Sequence, residues 1–297
     1  MGRLPSWLVV AAVGILLALG AADAIRSTGG GTPEHRRQPA PSRPRPTGLL
    51  VISDSDCSVT ALRLPTLTGV QPPRPPDCGG AAWSDDGTLV AECDRGVTRV
   101  VNADGRLFYR VRGCAPAWRP DGSIGVIHNG NLVLARSVGR PFTLTAHTRL
   151  DRNLSEFVER PETYRLFDVD WIDLSHFAGL VRGARPWEQA AVIATTDGPV
   201  EMFAPEYGQH PSSLVVSPLG TYLAFARNRL GREFLILTQG GVQVALPRIA
   251  NARAIAWSPD ERWVALATRT STSIARTGTR EVVFRVPQGG DSLAWLP

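Results

Sequence analysis

The sequence predicts an all-β protein, a six-bladed β-propeller with a composite N/C-terminal closing blade, preceded by an N-terminal transmembrane helix. A turn motif that recurs between apolar runs, at intervals of about one blade, predicts the propeller. An uncharged run of 19 residues near the N-terminus predicts the helix. Together they divide the chain into a transmembrane anchor or signal peptide (1–25), a linker (26–47) and the propeller (48–297).

The uncharged run, residues 4–22, has the length of a bilayer-spanning helix. It also fits a secretory signal, with Ala22-Asp23-Ala24 as the cleavage site. Either interpretation carries residues 26–297 across the membrane. We therefore expect a single-pass membrane protein with an extracytoplasmic domain, or a secreted protein if the signal is cleaved.

The arginines around this run favour the opposite orientation. Only Arg3 precedes it, whereas five arginines follow it closely: Arg26, Arg36, Arg37, Arg43 and Arg45. The positive-inside rule places such a flank in the cytoplasm. A propeller that faces the cytoplasm, with free thiols, is therefore an open alternative.

The linker, residues 26–47, contains five prolines and three consecutive glycines, which is typical of an extended tether. The net charge of +5 also comes mainly from the N-terminal part, because residues 1–47 hold six arginines and two acids. The rest is nearly balanced, with 26 arginines and 25 acids. A balanced domain has little electrostatic attraction for a phosphate backbone, so we expect no nucleic-acid partner.

The recurring motif is a turn that follows an anchor residue, usually tryptophan. Its copies begin at Trp83, Trp118, Trp171, Val216 and Trp257, and a last one opens at Trp295. The anchors are 35, 53, 45, 41 and 38 residues apart. Proline, aspartate and glycine at the following positions favour a tight turn, and the apolar runs on both sides predict strands.

The two chain ends predict how the ring closes. The C-terminal run 292–296 supplies an innermost strand with nothing after it. The N-terminal part offers strands at Leu49–Ser53, at Val59–Leu64 and near Val70, but no anchor. Joined, the two ends form one blade, which brings the five internal units to six blades.

The motif resembles the Trp-Ser-Pro-Asp-Gly repeats of TolB-like and WD-repeat-like six-bladed propellers, over roughly residues 48–297. No copy matches that pattern in full, and the copy at 171–175 departs from it most. The resemblance implies a periplasmic or cell-surface protein that docks other proteins. The expected partner is therefore a protein or a cell-envelope component, with the membrane contacted through the N-terminal helix.

Four cysteines repeat with the blades. Cys57 and Cys78 are 21 residues apart, as are Cys93 and Cys114, and the second pair is shifted by one blade. This symmetry predicts the disulfides Cys57–Cys78 and Cys93–Cys114, on the same face of the propeller. A zinc site and four buried free thiols are the alternatives, although the chain has no C-x-x-C pair.

One interval is longer than its neighbours, that between Trp118 and Trp171. The extra residues fall near 148–160, where the apolar residues have helical spacing. This predicts a short amphipathic helix, which either docks a partner or packs on the propeller face.

No catalytic, cofactor-binding or metal-binding residue is predicted. The chain contains no G-x-S-x-G element, no glycine-rich phosphate loop and no H-E-x-x-H, and no two histidines have metal-ligand spacing. The anchor tryptophans are interpreted as wedges between blades because they recur: Trp83, Trp118, Trp171, Trp257 and Trp295. The aspartates of the turns are interpreted as turn caps: Asp85, Asp86, Asp121, Asp173 and Asp260.

These observations predict a membrane-tethered, extracytoplasmic scaffold or sensor that binds a protein. The alternative is an exported hydrolase or lyase that acts on a glycan or small ester through a site assembled from distant loops. A central funnel with converging histidines and carboxylates favours the enzyme, and a flat face with exposed apolar residues favours binding.

Overall fold

A computed structural model describes residues 44–54, 58–70, 81–102, 104–135, 144–148, 164–185, 188–195, 200–203, 212–228, 232–238 and 241–297. The chain divides into two compact units, Met1–Pro44 and Arg45–Pro297, and the described strands belong to the second. The predicted anchor 4–22, the predicted helix beyond Thr148, and Cys57 and Cys78 lie outside the described residues. In the part of the chain that is described, no helix is long and apolar enough to cross a membrane.

The strands form six four-stranded antiparallel sheets, which confirms the six-bladed all-β fold. The N-terminal strands are β1 (Gly48–Ser53), β2 (Val59–Leu64) and β3 (Thr68–Val70). Blade 2 consists of β4 (Ala82–Trp83), β5 (Leu89–Asp94), β6 (Val97–Asn102) and β7 (Leu107–Arg112). Blade 3 consists of β8 (Cys114–Trp118), β9 (Ile124–His128), β10 (Asn131–Ala135) and β11 (Leu144–Thr148).

The second half of the chain continues the series. Blade 4 consists of β12 (Arg165–Trp171), β13 (His176–Arg182), β14 (Gln189–Thr195) and β15 (Val200–Phe203). Blade 5 consists of β16 (Ser212–Val216), β17 (Tyr222–Asn228), β18 (Arg232–Thr238) and β19 (Gln243–Val244). Blade 6 consists of β20 (Ala254–Trp257), β21 (Trp263–Ala267), β22 (Thr272–Arg276) and β23 (Val282–Val286).

The last strand, β24 (Ser292–Leu296), joins the N-terminal strands to form blade 1. It pairs antiparallel with β1, with Leu49 opposite Leu296 and Ser53 opposite Ser292. The indole Nε1 of Trp295 also donates a hydrogen bond to the Thr47 carbonyl at 2.9 Å. The predicted composite blade is confirmed, and it closes the ring without a covalent link between its first and last strands.

The burial pattern of each strand follows its place in the blade. In blade 6, strands β20 and β21 are buried at every residue because neighbouring blades cover both of their faces. The outermost strand β23 instead alternates between partly buried and exposed residues. The apolar core is therefore distributed between the blades, in contact surfaces that we call seams.

Candidate functional site

The turns between the first and second strands of the blades lie on one face of the propeller, which we call the hairpin-turn face. In three of these turns the motif serine is buried, and its hydroxyl accepts a hydrogen bond of 2.9–3.0 Å from the backbone N–H five residues later. The pairs are Ser84 with Leu89, Ser217 with Tyr222, and Ser258 with Trp263. These internal bonds hold the turns in one conformation.

Four aspartates cap the same turns. Each accepts a hydrogen bond from the backbone N–H two residues later: Asp86 from Thr88, Asp121 from Ser123, Asp173 from Ser175, and Asp260 from Arg262. Asp85 does not form this bond and lines the centre of the propeller instead. The turn-cap interpretation therefore describes four of the five aspartates.

Asp173 is held as a carboxylate. Burial raises its pKa, but hydrogen bonds from Ser175 and His176 outweigh this and lower the pKa to about 2. Its Oδ2 also lies 2.8 Å from His176 Nδ1. This turn therefore presents a fixed negative charge on the hairpin-turn face.

A central channel of about 400 Å³ is lined by the innermost strands of all six blades. Four carboxylates border it: Asp85, Asp168, Asp170 and Asp291. The ion pair of Arg253 with Asp291 lies on its wall just before the innermost strands of blades 6 and 1. Among the described residues that line the channel there is no histidine, so carboxylates converge there without the histidines expected of a funnel-type active site.

Asp168 and Asp170 project from β12 and bind the neighbouring blade. Asp168 Oδ2 accepts a hydrogen bond from Leu214 N at 2.9 Å, and Asp170 Oδ2 accepts one from Val216 N at 2.7 Å. Side chains two residues apart point to the same side of a strand, so the pair matches alternate N–H groups of β16. The other oxygen of each carboxylate accepts from the backbone N–H of the next residue.

The environment of these two groups disfavours their charged forms. Burial raises the pKa of Asp168 to about 6. Burial, together with the charges of Asp168 and Asp85, raises the pKa of Asp170 to about 7. Burial and the neighbouring Asp86 also raise the pKa of Asp85. The channel therefore contains carboxyl groups that titrate near neutral pH.

The anchor tryptophans lie between their own blade and the preceding one. Trp118 Nε1 donates to the Ala82 carbonyl of blade 2 at 2.8 Å. Trp171 packs among residues of blade 3, and Trp257 stacks on Tyr222 of blade 5 with ring centroids 5.2 Å apart. The partly buried Trp83 contacts the cluster of blade 1, and Trp295 packs between blades 6 and 1.

Blade 5 has Val216 where the other blades have tryptophan, and here the two aspartates of β12 take part in the seam. The hairpin turns of blades 4 and 5 also pack closely at this seam, since a Cβ at Gly220 would lie 2.6 Å from the Ile172 carbonyl oxygen. Asp168 and Asp170 are not among the site residues predicted from the sequence. The signal was present in Phe167-Asp168-Val169-Asp170, because the other innermost strands carry no pair of acids.

A disulfide joins Cys93 of β5 to Cys114 of β8, with the Cα atoms 5.2 Å apart. It links blade 2 to blade 3, so free thiols and a zinc site are wrong for this pair. The pairing of Cys57 with Cys78 lies outside the described residues and stays a prediction. Within the described ranges, no group of three or more His, Cys, Asp or Glu side chains is arranged to hold a metal ion.

Three large apolar side chains are exposed in turns of blades 4 and 5: Leu174 (51% exposed), Leu219 (69%) and Val242 (65%). Leu174 and Leu219 belong to hairpin turns of neighbouring blades, and Val242 lies in the turn between β18 and β19 on the same face. These three residues are not among those predicted from the sequence. The available signal is that Leu219 occupies the position where the other full motifs have aspartate.

No family model and no curated protein matches the chain. Solved structures match over most of its length. The β-propeller domain of Cps50 (Swd1) from Myceliophteria thermophila is 13% identical, with a TM-score of 0.56, covering 84% of this chain and 87% of that one. TolB from Acinetobacter baumannii is 17% identical, with a TM-score of 0.56, covering 84% of this chain and 67% of that one.

Hydrazine synthase from Kuenenia stuttgartiensis is 14% identical, with a TM-score of 0.53, covering 89% of this chain and 93% of that one. At such identities these likenesses show the fold alone. The chain is thus a six-bladed β-propeller similar in structure to WD-repeat and TolB propellers, as the repeat motif predicted.

Proposed function

We propose that this protein is a membrane-tethered, extracytoplasmic scaffold that binds a partner protein through its hairpin-turn face. The observation that carries the proposal is the exposed apolar group of Leu174, Leu219 and Val242 on blades 4 and 5. The turns that carry Leu174 and Leu219 lie side by side, since a Cβ at Gly220 would be 2.6 Å from the Ile172 carbonyl oxygen. Neighbouring exposed apolar side chains on a rigid surface are typical of protein-binding sites. The TolB likeness is consistent with this function.

The apolar side chains are presented on a surface that is held rigid. Glu261 of blade 6, which is buried, accepts a hydrogen bond from Leu219 N at 2.8 Å. Arg119 of blade 3 donates to the carbonyl of Leu174 and lies over the Trp171 ring at 5.3 Å. Each turn is therefore fixed from the neighbouring blade, which lowers the entropy lost on binding.

The membrane tether and the extracytoplasmic location are part of the proposal. Their support is the uncharged run 4–22, the proline-rich tether that follows it, and the Cys93–Cys114 disulfide. Disulfides persist in oxidising compartments and are rare in the cytoplasm. A membrane-impermeant maleimide applied to intact cells after mild reduction should label Cys93 and Cys114, and labelling only after lysis would place the propeller in the cytoplasm.

The binding function is tested by a crosslinked pull-down of the tagged full-length protein from its own membranes. We expect a stoichiometric envelope protein that is lost with Leu174→Asp/Leu219→Asp and retained with Val283→Asp, an exposed control on the outermost strand of blade 6. Equal capture by both variants would refute the hairpin-turn face as the binding surface. Thermal unfolding of each variant shows that the fold is unchanged.

The alternative function, an exported hydrolase or lyase, has one observation in its favour: Asp168 and Asp170 converge in the channel with raised pKa values. Both carboxylates, however, already accept backbone hydrogen bonds that join blades 4 and 5. Turnover of a p-nitrophenyl glycoside or ester by the wild type but not by Asp170→Asn would support the enzyme and displace the scaffold proposal.

A further inference from the structure

Among the described residues, the outermost strand of blade 2, β7, has an open edge. In that part of the chain the sheet order of blade 2 ends at β7, and no strand pairs with the alternate backbone N–H and C=O groups on its outer side. The outermost strands of blades 1 and 5 are much shorter, with three residues in β3 and two in β19, whereas β7 has six. Short edge strands limit unwanted pairing, and β7 lacks this protection.

The side chains of β7 form one apolar face and one cationic face. Tyr109 and Val111 pack against blade 3. Arg110 and Arg112 lie on the other face and are exposed, next to Phe108, which is 47% exposed at a β-bulge.

Arginine is concentrated at this edge. In the described part of the chain, Arg106, Arg110 and Arg112 form no ion pair. On the corresponding strand of blade 6, β23, the one arginine is Arg285, and the residues just before the strand, Arg280 and Glu281, have opposite charges. The positive charge at β7 is therefore a local feature and not one shared by all blades.

We propose that the β7 edge binds an extended acidic segment of a partner protein, which adds to blade 2 as a fifth strand. The open edge supplies main-chain hydrogen bonds. Arg110 and Arg112 are two residues apart, so acidic side chains at alternate positions of the added strand lie opposite them. Phe108 and Leu107, both exposed, supply the apolar contact.

The charge of the edge selects among possible occupants. A second copy of β7 is disfavoured because its arginines would face those of the first copy. An anionic lipid surface attracts the arginines but uses neither the main-chain groups of the edge nor its strand periodicity. An acidic extended peptide uses the arginines, the main-chain groups and the strand periodicity together, and it is therefore the partner that we infer.

This surface is distinct from the hairpin-turn face of blades 4 and 5, and the inference does not depend on the function proposed above. Blade 2 and blade 5 are three positions apart in the ring of six. Variants of one surface therefore test it without altering the other.

The probe is a fluorescent, end-blocked peptide of about eight residues that alternates glutamate with valine, long enough to cover the six residues of β7. Its binding to the full-length protein is followed by fluorescence anisotropy. Arg110→Glu/Arg112→Glu should weaken binding about tenfold or more, because each pair changes from attractive to repulsive. The matched control, Arg280→Glu/Arg285→Glu beside and on β23, should leave it within about twofold.

Two further peptides separate strand addition from charge attraction. They carry backbone N-methyl groups at the even or at the odd positions and have the same charge. An added strand loses binding with one of them only, since one set of N–H groups faces β7. Equal binding of both N-methylated peptides, or no binding of the parent peptide, would overturn the proposal.

Vesicles of phosphatidylglycerol test the lipid alternative. Vesicle binding that disappears in Arg110→Glu/Arg112→Glu, combined with no peptide binding by the wild type, would assign the edge to a membrane surface and refute the peptide. Unchanged thermal unfolding of the variant excludes misfolding as the cause, because both side chains are exposed.

Discussion

Two seams of the propeller occupy equivalent places in the ring but differ in their chemistry. Between blades 2 and 3, Trp118 donates a neutral hydrogen bond to the Ala82 carbonyl and a disulfide joins Cys93 to Cys114. Between blades 4 and 5 the anchor tryptophan is replaced by Val216, whose N–H is bound by a carboxylate of the preceding blade.

The direction of hydrogen bonding is reversed between the two seams. In the first, the later blade donates from a side chain to a backbone carbonyl; in the second, it donates from its backbone to side chains of Asp168 and Asp170. Neither the Trp118–Ala82 hydrogen bond nor the Cys93–Cys114 disulfide of the first seam contains a group that titrates near neutral pH. The second depends on two carboxyl groups with raised pKa values. The same fold thus contains one seam with a disulfide and another with carboxyl groups that can ionise.

The largest expected effect is at the first seam. Trp118→Ala should lower the free energy of unfolding by about 3–5 kcal/mol, because it leaves a cavity and removes the bond to Ala82. Trp118→Phe should cost less. Trp257→Phe is the matched control, since Trp257 Nε1 has no hydrogen-bond partner among the described residues. Urea unfolding that shows the same loss for both phenylalanine variants would contradict the role of the Ala82 bond.

The second-largest effect is expected from removal of the Cys93–Cys114 disulfide. Cys93→Ala/Cys114→Ala should cost about 2–4 kcal/mol by freeing the unfolded chain, for a sequence separation of 21 residues. Urea unfolding of the double variant, with and without reductant, measures this. A midpoint equal to that of the oxidised wild type would show that the bridge does not stabilise the seam.

A smaller effect, visible as pH dependence, is expected at the second seam. The folded-state pKa values of Asp168 (about 6) and Asp170 (about 7) lie above the ordinary value of 3.8. The folded state therefore binds more protons than the unfolded one, and the contribution of these protons to the free energy of unfolding is lost as pH rises from about 4 to about 7. We expect the free energy of unfolding to decrease by on the order of 1–2 kcal/mol. This value is lower than the pKa shifts alone would give because both groups border the channel.

Asp168→Asn/Asp170→Asn keeps an acceptor oxygen for the N–H groups of blade 5, loses the acceptor for the N–H of the next residue, and removes the titration. Its unfolding free energy should be nearly constant between about pH 4 and pH 8, whereas that of the wild type decreases. If the unfolding free energies of the two proteins changed in parallel with pH, the pH dependence would not come from this seam. Asp173→Asn, on the hairpin-turn face, is a control whose native group has a lowered pKa.

The smallest effect is expected for Glu261→Gln, at the contact between blades 5 and 6, where the Glu261 carboxylate accepts a hydrogen bond from Leu219 N. Glu261→Gln retains an oxygen for the Leu219 N–H and should cost about 0.5–1 kcal/mol. Glu261→Ala leaves that N–H without its acceptor and should cost about 1–3 kcal/mol. Equal losses in thermal unfolding would show that the hydrogen bond is not what Glu261 contributes.

The blades and their closure were predictable because their signals are local. Each turn is encoded within about five residues, as in Ser258 accepting from Trp263 N and Asp260 accepting from Arg262 N. The apolar runs beside the turns predict the strands. The missing anchor before Leu49 and the unpaired run 292–296 predict the composite blade.

The candidate surfaces were less predictable for the opposite reason. Leu174 and Leu219 are 45 positions apart and share a face only because the ring places their turns side by side. Exposure of a leucine depends on what packs beside it, and the residues of its own turn do not decide this. The cationic edge of β7 was similarly hidden, because the exposure of Arg110 and Arg112 depends on what packs beside the outermost strand.

By itself the sequence determined six four-stranded units, their closure by the two chain ends, and the pairing of Cys93 with Cys114. Only the tertiary structure decided how each seam is held, as in Asp168 and Asp170, which accept hydrogen bonds from N–H groups 46 residues later. The physical reason is the distance along the chain over which each interaction acts. Turn chemistry and strand periodicity act between near neighbours in the chain, whereas a seam and its pKa values depend on burial between blades, which exists once the ring has formed.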